Sequence, residues 1–422
     1  MTFVKNVRSA DTIIAAAWCL HVVVTVGFGT RSEILHFREM DETHFSNAVM
    51  RPIPGTLHPL PWAAEGKYRI GEVICESFWM PPYRDGARQG ACTRYLARTQ
   101  LERLSALGYR FLSGHEAEFF MFRKDGHGEV TSRPMFHGVD VFSNLLLAEH
   151  EDLVCLMYEQ LSAAGIDILS MQTEYAPGQL EFATGPKFGI DSADQMFTLM
   201  EALREMSYQH GWKATFMTKP TSEPGCSSGM HFSGGLWAGE MNAFYDPETK
   251  GLSAVGRHWA AGLIKHSAAL TALLCPTVNC YRRLHTPFAP DFADCVWENR
   301  DSMLRIVTAG PRTTYIENRL PSSAANPYVV MAATVAAGID GLVNRLELPS
   351  GKPEKLVSFL EEALTALEAD KVFSDALGEE FIRWFLQLKR EAEIATVNQA
   401  KEDGRDFRDE IEVERELYFH LL

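Results

Sequence analysis

The chain has 422 residues, of which 46% are hydrophobic and 11% aromatic, enough for a large core and for two domains. Its formal net charge of −15 argues against nucleic acid and against an anionic membrane surface as the main partner. The eight cysteines include no CxxC pair. In a chain of this length they are typical of reduced thiols, so we expect a cytoplasmic protein without a disulfide framework.

The first thirty residues admit two interpretations. Lys5 and Arg8 precede an apolar run, which is the outline of a signal peptide. Asp11 and His21 interrupt that run, and the segment "HVVVTVGFG" is typical of a β-strand that ends at glycines. We favour the strand. Since no other segment approaches the length of a transmembrane helix, we expect no membrane partner.

Short β-like segments dominate residues 12–75, where turns rich in proline and glycine separate them. The loop at 79–92 suits a domain boundary because the character of the sequence changes after it. We therefore predict a small β domain over residues 1–85 and a large mixed domain over residues 86–422.

The larger domain alternates strands with long helices. Residues 93–108 carry apolar side chains at helical spacing and end at Gly108, and "YRFLSGHEAEFFMF" follows as a strand. Further helices are predicted at 257–274, 326–340, 355–369 and 378–392. Strands interleaved with long helices indicate the α+β class.

Two glutamates lie in the strand that follows Gly108. Glu116 and Glu118 are two residues apart, so both side chains lie on one face, together with Phe120 and Phe122. Two carboxylates beside phenylalanines repel each other unless a cation neutralises them. The alternative is an exposed strand edge, where paired glutamates carry no functional meaning.

A second glutamate pair flanks a turn. In "QTEYAPGQLEFATGP", Pro177-Gly178 suits the centre of a hairpin turn that would place Glu174 opposite Glu181. Directly opposed like charges destabilise a sheet, and a bound cation would turn that repulsion into chelation. The alternative is a looser turn in which both glutamates diverge into water.

Two further segments add candidate ligands. Glu317 and Arg319 share a strand face, either at a site or as an ordinary surface ion pair. His231 lies between glycines in "SSGMHFSGGL" and is either a ligand or a hydrogen-bonded core residue. Glutamates with one histidine suit Mg²⁺ or Mn²⁺, and two such ions could stabilise a transferring phosphoryl group.

Arginines are the candidate nucleotide ligands because the sequence has no Walker loop and no GxGxxG motif. Each of them could instead be an ordinary surface charge. The candidates cluster in three segments: Arg282 and Arg283, Arg300 and Arg305, and Arg312 and Arg319.

Six short motifs occur in a characteristic order over roughly residues 55–392: "EAE", "E…PGQLE", "GMH", "NCYRRL", "ENRDSMLR" and "ENRLPSSAANPY". In this order they resemble the glutamine synthetase superfamily. The segments "WAAGLIKHSAAL" and "ALGEEFIRWF" are most similar to its lengsin branch, a lens group regarded as catalytically inactive. The resemblance implies an incomplete β-grasp-like domain, then a catalytic domain built on a curved antiparallel sheet with helices.

The resemblance also implies a set of site residues. It assigns six side chains to two Mg²⁺ or Mn²⁺ ions: Glu118, Glu174 and Glu181 for one, and Glu116, His231 and Glu317 for the other. It assigns four arginines to substrate and phosphate: Arg283, Arg300, Arg305 and Arg319. Two of these, Arg300 and Arg319, would act in catalysis. Arg312 remains a further candidate for the nucleotide. The family reaction uses ATP to convert the γ-carboxylate of glutamate to an acyl phosphate, which an amine then displaces.

Several positions depart from the family pattern. Ser233 replaces a second histidine, Cys226-Ser227 replace an Asn-Gly pair that holds substrate, and Tyr315 replaces an arginine. A flap glutamate is missing at 285–290, and the aspartate that deprotonates ammonium has no counterpart at 45–55. The metal and phosphate groups are thus retained, whereas the groups that handle glutamate and ammonium are altered.

Two functions remain open at this point. One is a γ-glutamyl ligase for an amine other than ammonia, and the other is an inactive assembly protein with a structural role and a cytoskeletal partner. Since members of the superfamily form stacked rings with active sites between subunits, the resemblance implies a homo-oligomer in either case.

Overall fold

The computed structural model describes residues 13–16, 35–44, 47–63, 69–137, 141–222, 227–402, 407–420 and 422. The signal peptide and the strand "HVVVTVGFG" that compete for the first thirty residues lie outside this part of the chain, apart from one short strand at Ile13–Ala16.

The strands follow the chain as β1 (Ile13–Ala16), β2 (Asn47–Pro52), β3 (His58–Pro59), β4 (Gly71–Glu72), β5 (Cys75–Trp79), β6 (Arg110–Lys124), β7 (Val130–Pro134), β8 (Ile168–Thr173), β9 (Gln179–Thr184), β10 (Lys187–Phe188), β11 (Trp212–Thr215), β12 (Met230–Ala238), β13 (Met241–Asn242), β14 (Phe292–Ala293), β15 (Cys295–Trp297), β16 (Leu304–Thr308), β17 (Thr314–Asn318) and β18 (Glu354–Lys355).

The helices are α1 (Arg38–Glu42), α2 (Thr93–Ala106), α3 (Asn144–Ala148), α4 (Glu151–Ala163), α5 (Asp191–Gln209), α6 (Ala254–Lys265), α7 (Ser267–Leu274), α8 (Pro327–Val343), α9 (Leu360–Ala369), α10 (Lys371–Leu377), α11 (Glu379–Leu388), α12 (Ala395–Glu402) and α13 (Phe407–Tyr418). A π-helical turn, Lys389–Ile394, joins α11 to α12. Within the described ranges, no helix combines the length and the apolar character that a membrane span requires.

The predicted α+β class is confirmed, and the predicted helices are present with shifted ends. The helix predicted over 257–274 is divided into α6 and α7 at His266, whose ring is held by the carboxylates of Asp340 and Asp370. The helix predicted over 355–369 begins only at Leu360, because Lys355 belongs to β18 and pairs with β14.

A three-stranded antiparallel sheet precedes the larger one in the chain. Its strand order is β1-β2-β5, with Ile13 opposite Met50 and Arg51 opposite Glu76. All three strands lie before residue 86, where the sequence places the end of the small domain. The boundary between residues 85 and 86 itself stays a prediction.

The central sheet has 11 strands, and its main path runs β15-β16-β17-β12-β6-β9-β8. Among the described strands, its pairings are antiparallel except for β15 with β16. The 15-residue strand β6 lies at the centre and pairs with β7, β9, β10, β11 and β12. Side chains on β6 are therefore fixed by hydrogen-bonded neighbours on both sides.

The two faces of β6 have different environments. Ala117, Phe119 and Met121 pack into the main core between the sheet and the helices. On the opposite face, Phe120 and Phe122 pack in a second core beneath α13. Because side chains alternate along a strand, Glu116 and Glu118 lie on the face of these two phenylalanines, as the sequence predicts.

The main helices cover the sheet through a close crossing of α6 and α8. A Cβ atom on Gly262 would lie 2.2 Å from the carbonyl oxygen of Ala337, and one on Gly341 would lie 2.1 Å from that of His258. Since each clash is with backbone, no side-chain rotation could relieve it. The two glycines therefore set the distance between the helices.

Replacing Gly262→Ala is expected to destabilise the fold by about 1–3 kcal/mol, because the added methyl group must push α6 away from α8. Urea unfolding measures the change. Gly55→Ala is the matched control, since a Cβ atom there meets no other atom within 4 Å. Equal stabilities for the two variants would contradict the packing argument.

Candidate metal and phosphoryl-transfer site

Four strands bring the predicted ligands together on one face of the central sheet. His231 on β12 lies opposite Glu116 on β6, and Glu118 lies opposite Glu181 on β9. Glu317 on β17 lies opposite Ser233, two residues along β12 from the histidine. Residues that are far apart in the sequence thus converge because the strand registers align them.

The first cluster consists of Glu116, His231 and Glu317. The Nδ1 atom of His231 lies 3.3 Å from Oε2 of Glu116 and 3.5 Å from Oε1 of Glu317. One ligand atom from each residue lies within 4.8 Å of the others, a spacing that a single ion can bridge. Carboxylate oxygens with an imidazole nitrogen are suitable donors for Mn²⁺ or Mg²⁺.

The second cluster consists of Glu118 and Glu181, with His231 at its edge. The Nε2 atom of His231 lies 3.9 Å from Oε1 of Glu118. The same nitrogen lies 3.3 Å from Nη2 of Arg283. A neutral imidazole offers one nitrogen lone pair, so His231 can bind an ion in only one of the two clusters. If it serves the first cluster, the second depends on its carboxylates.

Glu174 lies beside the second cluster, but not in the predicted register. The chain pairs Thr173 with Leu180, so Gln172, not Glu174, lies opposite Glu181. The predicted hairpin register is therefore wrong by two residues, because the loop around Pro177-Gly178 is longer than a two-residue turn. A shift of two residues keeps Glu174 on the same face of the sheet.

Two glutamines hold the acidic side chains and were missed in the sequence. Gln172 donates a hydrogen bond of 2.6 Å to Oε1 of Glu181, and Gln179 donates one of 3.2 Å to Oε2 of Glu118. The sequence could have indicated both glutamines, because each lies two residues from a glutamate and therefore on the same face of its strand. They orient the carboxylates before any cation binds.

Burial makes the charged forms of these carboxyl groups unfavourable. It raises the pKa of Glu118 to about 8, and the charge of Glu174 adds to the rise. Burial also raises the pKa of Glu181 to about 10, with further contributions from the charges of Glu118 and Glu116. Without a cation, protons therefore remain on these groups at neutral pH.

The pKa of His231 is shifted in the opposite direction. Burial and the positive charge of Arg319 lower its pKa well below the usual value, so its ring is neutral. A neutral imidazole is the form that binds a metal ion. The donor set thus fits divalent cations, which would replace the carboxyl protons.

Arg305 and Arg319 both bind Glu317. Nη1 of Arg305 lies 2.9 Å from Oε2 of Glu317, and Nη1 of Arg319 lies 2.5 Å from Oε1. Arg305 also contacts Glu298. The two guanidinium groups orient the carboxylate of Glu317 toward His231.

The remaining candidate arginines differ in position. Arg283 is buried against the carbonyl groups of Arg319 and Leu320 as well as His231. Arg282 does not join the site, because Glu414 binds it through both carboxylate oxygens. Its inclusion among the nucleotide candidates therefore finds no support in the geometry.

Arg300 is exposed and its charge acts on the site. Burial raises the pKa values of Glu116 and Glu174, and the positive charge of Arg300 acts to lower both. Within the described part of the chain, Arg300 has no hydrogen-bond or ion-pair partner. It is therefore available for an anionic ligand.

A cavity of about 260 Å³ opens beside Glu116. Its walls include two of the departures from the family pattern, Ser233 and Tyr315, together with Arg312. Apolar side chains supply much of the remaining lining: Leu112, Leu169 and Trp237. An apolar cavity with one arginine, next to a candidate metal cluster, suits a nucleotide.

Residues 90–405 match the family described as "Glutamine synthetase, catalytic domain". The chain belongs to the glutamine synthetase family. The family resemblance predicted from the motifs is thereby confirmed, and so is the α+β catalytic domain that it implied.

The relatives of this chain differ in the share of their own length that the chain covers. Lengsin of Rattus norvegicus is 34% identical over 364 residues, which cover 82% of this chain and 62% of lengsin. Glutamine synthetase of Thermotoga maritima is 32% identical over 394 residues, which cover 88% of this chain and 86% of the relative. The chain thus spans about three fifths of the length of the lengsin that it matches.

A solved structure of GmaS in complex with ADP has the same fold. It is 27% identical in sequence with a TM-score of 0.75, and the match covers 86% of this chain and 84% of GmaS.

The variant Glu181→Gln tests the electrostatic argument. Because the pKa of Glu181 is raised, its contribution to stability is present at acidic pH and is lost as the pH rises toward about 10. The variant removes this loss, so without metal it should melt a few degrees higher than the wild type at pH 8.5, but not at pH 5.

Thermal melting with and without Mn²⁺ measures both effects. The wild type should be stabilised by Mn²⁺ more strongly at pH 8.5 than at pH 6, and Glu181→Gln should lose most of this gain. Glu240→Gln is the control, since the side chain of Glu240 is 96% exposed. A variant that keeps the full response to Mn²⁺ would contradict the assignment.

Proposed function

We propose that the chain is an ATP-dependent ligase that joins the γ-carboxylate of glutamate to an amine. The observation that carries this proposal is the convergence of buried carboxyl groups with His231 on one sheet face, beside an apolar cavity. The charge of Arg300, which has no partner among the described residues, acts on the same face. Carboxyl groups at such distances destabilise the fold unless cations or protons neutralise them. A structural role alone gives no reason for this arrangement.

The proposed reaction has two steps. An oxygen of the γ-carboxylate attacks the γ-phosphorus of ATP, and the bond to the bridging oxygen breaks to release ADP. The amine nitrogen then attacks the acyl carbon, and the carbon–oxygen bond to phosphate breaks. The amine loses a proton as the amide forms.

Mg²⁺ or Mn²⁺ at the two clusters would neutralise phosphoryl oxygens. Glu116, His231 and Glu317 would hold one ion, and Glu118, Glu181 and Glu174 the other. The chain's own side chains orient these donors: Arg305 and Arg319 bind Glu317, and Gln172 and Gln179 bind the carboxylates of the second cluster.

Arginines would stabilise the charge that develops on the phosphoryl group. Arg300 lies within electrostatic reach of both clusters and has no partner among the described residues, whereas Arg319 already shares its guanidinium with Glu317. Arg283 is held by carbonyl groups, which positions its charge at the centre of the site. Positioned donors of this kind are the main source of catalysis in phosphoryl transfer.

The nucleotide would bind in the cavity beside Glu116. Leu112, Leu169 and Trp237 offer apolar surface for a base, and Arg312 offers positive charge. A solved complex of the similar GmaS contains ADP, which supports nucleotide binding by a chain of this fold. The replacement residues Ser233 and Tyr315 line the same cavity and would contact the nucleotide.

The amine is proposed to be one other than ammonia. No carboxylate occurs in the segment 285–290, where the family pattern has a flap glutamate, and no aspartate occurs at 45–55. An ammonium ion would therefore lack its usual binding and deprotonating groups. An amine that is uncharged at neutral pH needs neither.

The alternative function is a structural one, as in lengsin. The departures at Ser233, Tyr315 and 285–290 favour it, as does the similarity to lengsin over 82% of the chain. In either case we propose a homo-oligomeric ring assembly, and in the structural case also a cytoskeletal partner.

Hydroxylamine trapping tests the ligase proposal independently of the natural amine. Incubation with glutamate, Mn²⁺-ATP and hydroxylamine should yield γ-glutamyl hydroxamate and an equal amount of ADP, because hydroxylamine is small and uncharged at neutral pH. Omission of glutamate should abolish both products. Absence of hydroxamate, together with an unchanged melting temperature in Mn²⁺-ATP, would leave the structural function.

Replacing Arg300→Ala should lower the rate of hydroxamate formation about 100-fold or more, because a charge that acts on the phosphoryl group is lost. The melting temperature should not change, since Arg300 has no partner among the described residues. Arg133→Ala is the control, an exposed arginine on β7. Equal rates for the two variants would exclude Arg300 from the reaction.

A further inference from the structure

Two aromatic rings stack at the edge of the site. The ring centroids of Tyr175 and Phe288 are 5.2 Å apart, and the ring planes differ by 14°. Tyr175 is 38% exposed and Phe288 is 54% exposed. The pair therefore presents apolar ring surface outside the packed core, where a ligand can reach it.

Both residues of the pair are attached to the catalytic groups by their backbones. The amide of Tyr175 donates a hydrogen bond to the carboxylate of Glu174. The carbonyl oxygen of Phe288 accepts a hydrogen bond of 3.2 Å from Nη2 of Arg319, which also binds Glu317. The ring pair thus spans the side of the site from one metal cluster to the other.

The loop that carries Phe288 is held in one conformation. The amide of His285 donates to the carbonyl oxygen of Pro290 at 3.4 Å, which closes the loop on itself. The hydroxyl of Thr286 donates to the carbonyl oxygen of Arg283 at 2.5 Å. Phe288 has a φ of 65°, an unfavourable conformation for a bulky residue that is often retained at ligand sites.

The charges around the pair do not suit a cation. The segment 285–290 contains no acidic residue, and the nearby Asp291 is bound by His285 and lies 3.7 Å from Nζ of Lys355. The carboxylate of Glu174 is a proposed ligand of the second metal cluster. Neither Asp291 nor Glu174 is therefore free to bind a cationic amine.

We propose that Tyr175 and Phe288 form the amine subsite and select an aromatic amine of the aniline class. This inference rests on the proposed ligase function and names its substrate class. An aniline ring packs against the exposed face of the pair, and its amino group is uncharged at neutral pH. It can therefore attack the acyl carbon without the missing aspartate and flap glutamate.

The experiment compares aniline, methylamine and ammonium as amine substrates of the full chain, with ADP release as the measurement. The wild type should use aniline with a higher kcat/KM than either of the others. Phe288→Ala should lower kcat/KM for aniline about fivefold to tenfold, as expected for the loss of one aromatic contact. The fall in kcat/KM should be larger for aniline than for methylamine or ammonium, because these two amines have no ring to pack against the pair.

Two further variants separate stacking from folding. Tyr175→Phe keeps the ring and should behave as the wild type. Phe288→Leu keeps the apolar bulk without a ring and should lose the preference for aniline even if Phe288→Ala proves unstable. An equal loss for all three amines in the Leu variant would overturn the proposal.

The outcomes distinguish this proposal from the ligase function. Hydroxamate formation without any preference for aniline would overturn the aromatic subsite and leave the ligase intact. If no hydroxamate forms, calorimetry that measures the binding of aniline alone tests whether the aromatic subsite exists. Binding that is lost in Phe288→Leu would support the subsite, and absence of binding to the wild type would overturn it.

Discussion

Mutual repulsion between carboxyl groups on neighbouring strands is the constraint on which the site depends. Glu118 and Glu181 lie directly opposite each other in adjacent strands of the central sheet, in an environment that excludes most water. Such a pair opposes folding unless a proton or a metal ion lies between the two groups. Binding of a divalent cation is therefore linked to the stability of the sheet as well as to chemistry.

Much of the site could be predicted because it depends on strand alternation and on short motifs. The spacing of Glu116 and Glu118 places both on one face of any strand, whatever its partners are. Glycines around His231 and a strand at Glu317 indicated further elements of the same kind. The family resemblance then supplied the grouping into two clusters, which spacing alone leaves open.

The details that could not be predicted depend on contacts between distant segments. The register around Glu174 is set by the length of the loop at Pro177-Gly178, and a shift of two residues preserves the hydrophobic pattern. Similarly, the pairing of Arg282 with Glu414 joins segments 132 residues apart. Local sequence carries no signal for either feature, so Arg282 looked equivalent to Arg283 until their partners were known.

The position of β6 has a consequence for how substrates would be exchanged. Hydrogen bonds to β9 and β12 hold this strand on both sides, so the spacing of its carboxylates cannot change without breaking the sheet. The stacked rings of Tyr175 and Phe288, in contrast, lie on loops outside the strands of the sheet. Under the proposed function, ion binding and amine recognition would in this way depend on different elements, the first on the sheet and the second on the loops.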